Sequence, residues 1–343
     1  MLIIFSASGF SSASTPPAPT DADTGRVENP DTGNNSSDTS SIFVSNPDVK
    51  LYFNAAISHR IDSLEWNIAG QLNGEYIDVL SDLTWEDIRI CQVVLSNRTI
   101  FHDRLSFRGS LGIGNIYGGD NQDSDFAGSG RSNEFSRSNN NADDGKVVDL
   151  SLGLGYRFSP GSGRLKLAPM LGYSQHWQSL TMSDGYQTVS EAVPGIRPPD
   201  IGPFEDMLDS AYKAHWKGPW VGVDIFFDVP KPAFLFSDME FMFTFEYHWA
   251  DYNADADWNL REDFMHPKSF EHEANGAGMV FSLDANLRFN DFWGLNIGAG
   301  YQKWSTGSGT DRVFFSNGDI AETRLNEVKW SSTAVHIGVE CRF

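Results

Sequence analysis

The sequence predicts an all-β chain that closes into a ten-stranded antiparallel transmembrane β-barrel. Three patterns carry that expectation: period-two alternation that recurs along the chain, aromatic residues gathered on one face of it, and connections that are short and long by turns. The final strand shows the first pattern most cleanly. From Ala334 to Phe343 it sets Val335, Ile337, Val339, Cys341 and Phe343 against His336, Gly338, Glu340 and Arg342, and the chain stops on the aromatic. An edge strand of a soluble sandwich alternates too, so the remaining elements have to decide.

Taken in order, the chain opens with a short apolar piece, Leu2 to Phe5, and small residues at Ser12 to Ser14, with no Lys or Arg before Arg26. A secretory signal needs a basic start and a longer apolar core, so residues 1–14 read as the remnant of a truncated signal. Residues 15–47 are rich in Pro, Ser, Thr, Asn and Asp, which leaves little to bury, and are expected to form a disordered tail on the periplasmic side. The barrel is expected over 48–343. Its first three strands fall near Lys50 to Ser58, Leu83 to Ile100 and Arg104 to Gly114. Val148 to Phe158 then opposes Val148, Leu150, Leu152, Leu154, Tyr156 and Phe158 to Asp149, Ser151, Gly153, Gly155 and Arg157. Gly163 to Thr181 and Asp209 to Val229 follow. In Asp238 to Trp249 the residues Phe241, Phe243, Phe245, Tyr247 and Trp249 share one face, opposite Glu240, Thr244, Glu246 and His248. So many rings in register belong in lipid, as does the terminal Phe343. Phe281 to Phe289 places Asp284 and Arg288 on its other face, where a sandwich core would reject them and a polar lumen accepts them. Phe292 to Trp304 repeats the scheme, with Tyr and Trp near strand ends where aromatic girdles sit.

Short connections (His102 with Asp103, Ser159 to Gly163, Val229 to Ser237, Asn290 with Asp291) alternate with long polar ones (Gly118 to Gly145, Ser183 to Leu208, Asn253 to Glu273, Ser305 to Leu325). Short turns on one rim and long loops on the other are the sidedness of a barrel in the outer membrane of a Gram-negative bacterium. A ten-strand barrel is narrow, and inward Arg108, Asp149, Arg157, Asp224, Glu246, Asp284 and Arg288 are expected to pair inside it, leaving no diffusion pore. No stretch offers the roughly 20 apolar residues of a transmembrane helix. A net charge of -21 argues against nucleic acid as a partner. Cys91 and Cys341 fall on strands two and ten, and no bridge between them is expected.

Local motifs then carry a resemblance. The second-loop run Gly118-Gly119-Asp120-Asn121-Gln122-Asp123-Ser124-Asp125, Leu83-Thr84-Trp85, Leu171-Gly172-Tyr173, and Tyr212-Lys213 through Trp216-Lys217-Gly218-Pro219 resemble the omptins, outer-membrane endopeptidases of Gram-negative bacteria. The resemblance spans about Lys50 to Phe343 and is thin between these islands. It implies an Asp-x-Asp pair in the second loop facing an Asp-x-His pair in the fourth, which together activate a water for attack on a peptide bond. Asp123 and Asp125 match the first pair. The second pair falls on Ala256 and Trp258, so the imidazole that could take a proton near neutral pH is missing. The lipopolysaccharide motif of the family is similarly eroded: Tyr173 stands, but its partners fall on Gln175, Trp177 and His215, whereas phosphate recognition favours Arg or Lys.

The residues leave several readings open. Asp-x-Asp is a weak signal in an Asp- and Asn-rich loop and fits a solvated turn equally well. Asp123, Asp125, Asp255 and Asp257 could hold calcium at the rim, although no cofactor is required and no spacing matches a known calcium loop. With Asp255 and Asp257 as a substrate- or cation-binding rim, the mouth would attract basic peptides or host proteins without cutting them. The preferred reading is a surface or structural barrel without omptin proteolysis. It would sit in outer-membrane lipid and be recognised by the barrel assembly machinery through Phe343. The alternatives are a working endopeptidase cleaving near basic residues, with His266 or His272 swinging in from the fourth loop, and a small porin or adhesin.

Overall fold

The computed structural model describes residues 48–161, 163–229 and 236–343. The expected signal remnant and tail, and most of the turn from Val229 to Ser237, lie outside the described residues. Among the described residues, thirteen strands make one antiparallel sheet: β1 (Val49–Leu72), β2 (Glu75–Phe101), β3 (Leu105–Gly128), β4 (Ser132–Asn141), β5 (Gly145–Tyr156), β6 (Leu165–Ser190), β7 (Gly202–Pro203), β8 (Asp209–Val229), β9 (Asp238–Asp257), β10 (Phe270–Arg288), β11 (Trp293–Thr306), β12 (Gly309–Phe314) and β13 (Ile320–Arg342). The last strand pairs with the first from Tyr52↔Arg342 to Ile68↔Leu325, and that ladder closes the barrel.

Ten staves result. β4 and β5 lie end to end between β3 and β6, and β11 and β12 lie end to end between β10 and β13. β7 is a two-residue rung on the outer end of β6. A tilted strand needs about 9–11 residues to cross a bilayer, and β1, β2, β3 and β6 run to 24, 27, 24 and 26 residues. The wall therefore stands well beyond the lipid on one side. The exposed apolar residues mark the band that lipid covers: Ile57, Val93, Ile113, Leu171, Phe241, Phe243, Ile297, Val335 and Ile337 all point outward. Phe343 packs edge-on against Phe53 and Phe292 at the rim of the short turns.

Inside the band the lumen is crossed by ion pairs, because a charge held off water needs a partner at contact distance, and cavities of about 180 and 230 Å³ remain between them. Arg60 donates to both oxygens of Asp62 (2.7 and 2.5 Å) and to Asp149 (2.7 Å), which also accepts from Gln92 at 2.6 Å. Arg108 meets Glu246 at 2.6 Å and Asp224 at 3.5 Å, and Arg98 meets Glu240 at 2.7 Å. Asp284 lies 3.0 Å from His336, and Arg288 lies 2.5 Å from Asp238. Each of the seven charges expected to pair inward has a partner, Arg157 the most distant one, 3.7 Å from Glu240.

Above the band the lumen changes character. Trp66, Trp85, Tyr212, Trp216, Phe270, Trp304 and Trp330 are almost wholly buried in one apolar cluster. Trp304 stacks on Trp330 (5.5 Å between centroids) and Trp85 on Tyr212 (5.2 Å). Rings of this size bring large buried area, and their offset and edge contacts fix the packing. This core closes the outer half of the barrel.

The strand positions agree with the sequence reading, but their lengths do not. The segments expected to end near Ser58 and begin at Leu83 continue as β1 and β2 to a two-residue turn at Asn73 and Gly74, with φ of 53° and 85°. Gly118 to Gly145 is no loop but the top of β3 with β4, and Ser305 to Leu325 holds β12. The reason is physical: alternation between lipid and lumen ends with the lipid, while the ladder of backbone hydrogen bonds goes on. Long outer connections remain at 191–208 and 258–269. Both cysteine thiols are free.

Candidate functional site

The site is built by a change of phase. On β3 the even residues face the lumen as far as Ile116, and beyond the irregularity at Tyr117 to Gly119 it is Asn121, Asp123 and Asp125 that turn inward. β2 switches with it, from Gln92 and Ile90 to Trp85, Leu83 and Ser81. Bulges are a common means of re-aiming a side chain. Gly119 permits this one: a Cβ there would lie 2.4 Å from Ile88 Cδ1 and 2.9 Å from the Ala142 carbonyl. Asp123 and Asp125, two apart on one strand, thus reach the same face and are both buried.

Across the mouth, β9 keeps its phase. Ala250, Tyr252, Ala254 and Ala256 point inward, and Trp258 extends the row, its ring edge-on to Phe270 at 4.6 Å. The Trp258 N–H donates to Ser269 Oγ at 2.9 Å, and the Ser269 N–H to the Ala256 carbonyl at 2.7 Å, so the strand end is held in place. Asp123, Asp125 and Trp258 line one outward-opening pocket of about 730 Å³. Phe135, Met182, Phe204, Leu208 and Leu260 make its apolar wall, with Arg197 and Arg261 at its edge.

Burial, with the charge of Asp123 nearby, pushes the Asp125 carboxyl up to about 6, against the pull of Arg261. Arg261 itself is held by a bidentate pair to Asp263 at 2.7 and 2.6 Å. The site thus has two buried carboxyl groups, Asp125 with its carboxyl raised to about 6, an indole opposite them and an apolar wall. That combination can bind a cation or a hydrogen-bond donor carrying an apolar part; it lacks an imidazole at the acids.

The sequence-predicted residues are not all gathered here. Ala256 is inward but offers no chemistry. Asp255 and Asp257 take the odd phase of β9 and face out of the wall, Asp255 paired with Lys268 at 2.6 Å and Asp257 with His266 Nδ1 at 2.6 Å. They share no pocket with Asp123 and Asp125, and among the described residues no group of three or more His, Cys, Asp and Glu is placed to hold a metal. His272 is inward and fully buried below the pocket, its Nδ1 2.8 Å from Tyr212 Oη and its Nε2 3.2 Å from Asp311. Tyr173 is exposed on the outer surface, and beyond it Trp177 stacks on His215 at 4.7 Å, with Gln175 3.2 Å from the same imidazole. The pocket's third wall, 197–206, is not legible in the sequence, where it has no periodicity to reveal it.

A closed ring of antiparallel strands with an apolar outer band, short turns at one rim and a tall wall at the other defines an outer-membrane β-barrel of a Gram-negative bacterium. The chain belongs to the Pom family of Protochlamydia outer membrane proteins, whose model matches residues 55–343. Among solved structures, the outer membrane protease OmpT of Escherichia coli is similar over 89% of this chain and 100% of that one, with 14% identity and a TM-score of 0.66. The translocator domain of the autotransporter NalP from Neisseria meningitidis is similar over 85% and 88%, with 13% identity and a TM-score of 0.36. No curated protein matches in sequence.

Proposed function

We propose that this chain is a non-proteolytic surface barrel that uses its outer mouth to bind rather than to cut. One observation carries the reading: the residue lining the pocket with Asp123 and Asp125 is Trp258, where the omptin arrangement would place an imidazole held by a carboxylate. An indole cannot act as a general base, and its edge packing on Phe270 holds it in that position. The lining acids Asp123, Asp125, Asp200, Glu205 and Asp206 outnumber Arg197 and Arg261, which favours a basic partner such as a cationic peptide or host protein. Outer-membrane lipid covers the apolar band, and the aromatic end at Phe343 suits recognition by the barrel assembly machinery.

A working endopeptidase is the second reading, and the His266–Asp257 pair favours it, since an acid-held imidazole does exist on the fourth loop. That pair faces outward and would have to cross the wall to reach the pocket. Labelled dibasic peptides added to the refolded barrel, read for both binding and cleavage, separate the two. The proposal expects saturable binding weakened by Asp123→Asn, with the peptide recovered intact. Cleavage that is abolished by either Asp123→Ala or His266→Ala would replace it with the second reading.

A further inference from the structure

At the rim of the short turns the lumen opens into a second basin, of about 520 Å³, built from the inner ends of six strands and the turns between them. Its lining carries six basic side chains, Lys50, Arg157, Arg164, Lys166, Arg288 and Arg342, against four acidic ones, Asp103, Asp228, Asp238 and Glu240. Three of the cations are neutralised locally: Lys50 by Asp103 at 2.5 Å, Arg288 by Asp238 at 2.5 Å, and Lys166 by Asp228. The fourth acid, Glu240, is held from below by Arg98 at 2.7 Å, leaving Arg157 at 3.7 Å from its other oxygen. Arg157 is 7% exposed, and its buried Nε has no hydrogen-bond partner among the described residues. Arg164 and Arg342 have no carboxylate within ion-pair distance among the described residues.

We propose that this periplasmic basin is a binding site for a phosphate-bearing dianion, gripped by Arg157, Arg164 and Arg342. The excess of two positive charges in the lining is the charge a phosphate monoester or inorganic phosphate brings near neutral pH. A single carboxylate would leave one charge unmatched. Guanidinium forks suit tetrahedral oxyanions geometrically, and a partly buried arginine with an unused N–H gains most from such a partner because its desolvation is already complete. Access is from the periplasm only, since the aromatic core closes the lumen above. The phosphate could arrive as a soluble phosphate compound or as the headgroup of an inner-leaflet lipid.

Calorimetric titration of the refolded barrel with inorganic phosphate, against sodium chloride at equal ionic strength, tests this. Saturable binding at pH 7.5 that weakens at pH 5, where phosphate is a monoanion, is the expected result. Removing one charged hydrogen-bond donor should cost at least about tenfold in affinity, so Arg164→Gln and Arg342→Gln are each expected to weaken binding by that factor. Both are rim residues, and heat-modifiable migration checks that the variants fold. Repeating the titration in phosphatidylcholine discs with and without phosphatidic acid distinguishes the sources: competition by the lipid identifies a headgroup, and its absence a soluble phosphate. No saturable phosphate binding by the wild-type barrel, or variants that bind phosphate as tightly as the wild type, would overturn the proposal.

Discussion

Asp125 shows how much one residue's surroundings decide. Asp-x-Asp in a polar run has no meaning until the phase of β3 is known, and above Gly119 that phase turns both acids inward. With its carboxyl raised to about 6, folded Asp125 holds its proton more firmly than the unfolded chain does. The resulting stabilisation is fully present below the unfolded value near pH 4 and is lost as the pH rises through about 6. Asp125→Asn, which keeps the protonated form's shape, is therefore expected to leave stability unchanged near pH 4 and to raise it at pH 8, by at most about 3 kcal/mol. Urea unfolding in lipid vesicles at the two pH values reads this, and a variant less stable at pH 8 would show that Asp125 is held as a carboxylate. Trp258 is the matching case of legibility. Counting from Trp249 was enough to place it opposite the acids, because β9 has no bulge to change the count. Asp255 and Asp257 were one residue out of phase with the site, and in a strand one residue is the difference between the two faces.

At the scale of elements, strand existence was legible wherever lipid imposed its alternation, as in β9, β10 and β13. It faded where the same strands left the bilayer. The outer stretch of β3 and β4 is Asn-, Ser- and Asp-rich, residues depleted in sheets, and it is held by a register with both neighbours rather than by local preference. The Asn73–Gly74 turn could have been found, since Asn-Gly between alternating runs is a strong hairpin signal. The bulge at Gly119 is what joins wall to site, and it predicts a specific lesion. Gly119→Val places a side chain against the Ala142 carbonyl, where backbone cannot yield cheaply. The expected cost is about 1–3 kcal/mol, accompanied by a weakened peptide interaction at Asp123. Unchanged unfolding and binding would mean that the irregularity tolerates a Cβ and does not set the aim of the acids.

For the whole molecule, two different materials close one lumen. Ion pairs such as Arg60 with Asp62 and Asp149 cross the lipid-embedded half, and the aromatic core around Trp66, Trp216 and Trp330 packs the outer half. The inward charges could be read from the sequence as a paired set. The core could not, because its tryptophans come from distant strands and meet only in the closed ring. A barrel closed in this way is expected to show no porin-like conductance steps in planar bilayers. Ohmic steps from the wild-type protein would contradict the closed lumen. The most direct test of the central claim is the rate at which the refolded wild-type barrel, with and without lipopolysaccharide, cleaves dibasic peptides. The expected rate is indistinguishable from that of Asp123→Ala under both conditions. Turnover by the wild type that disappears in Asp123→Ala would contradict it and show that a proton acceptor reaches the pocket despite Trp258.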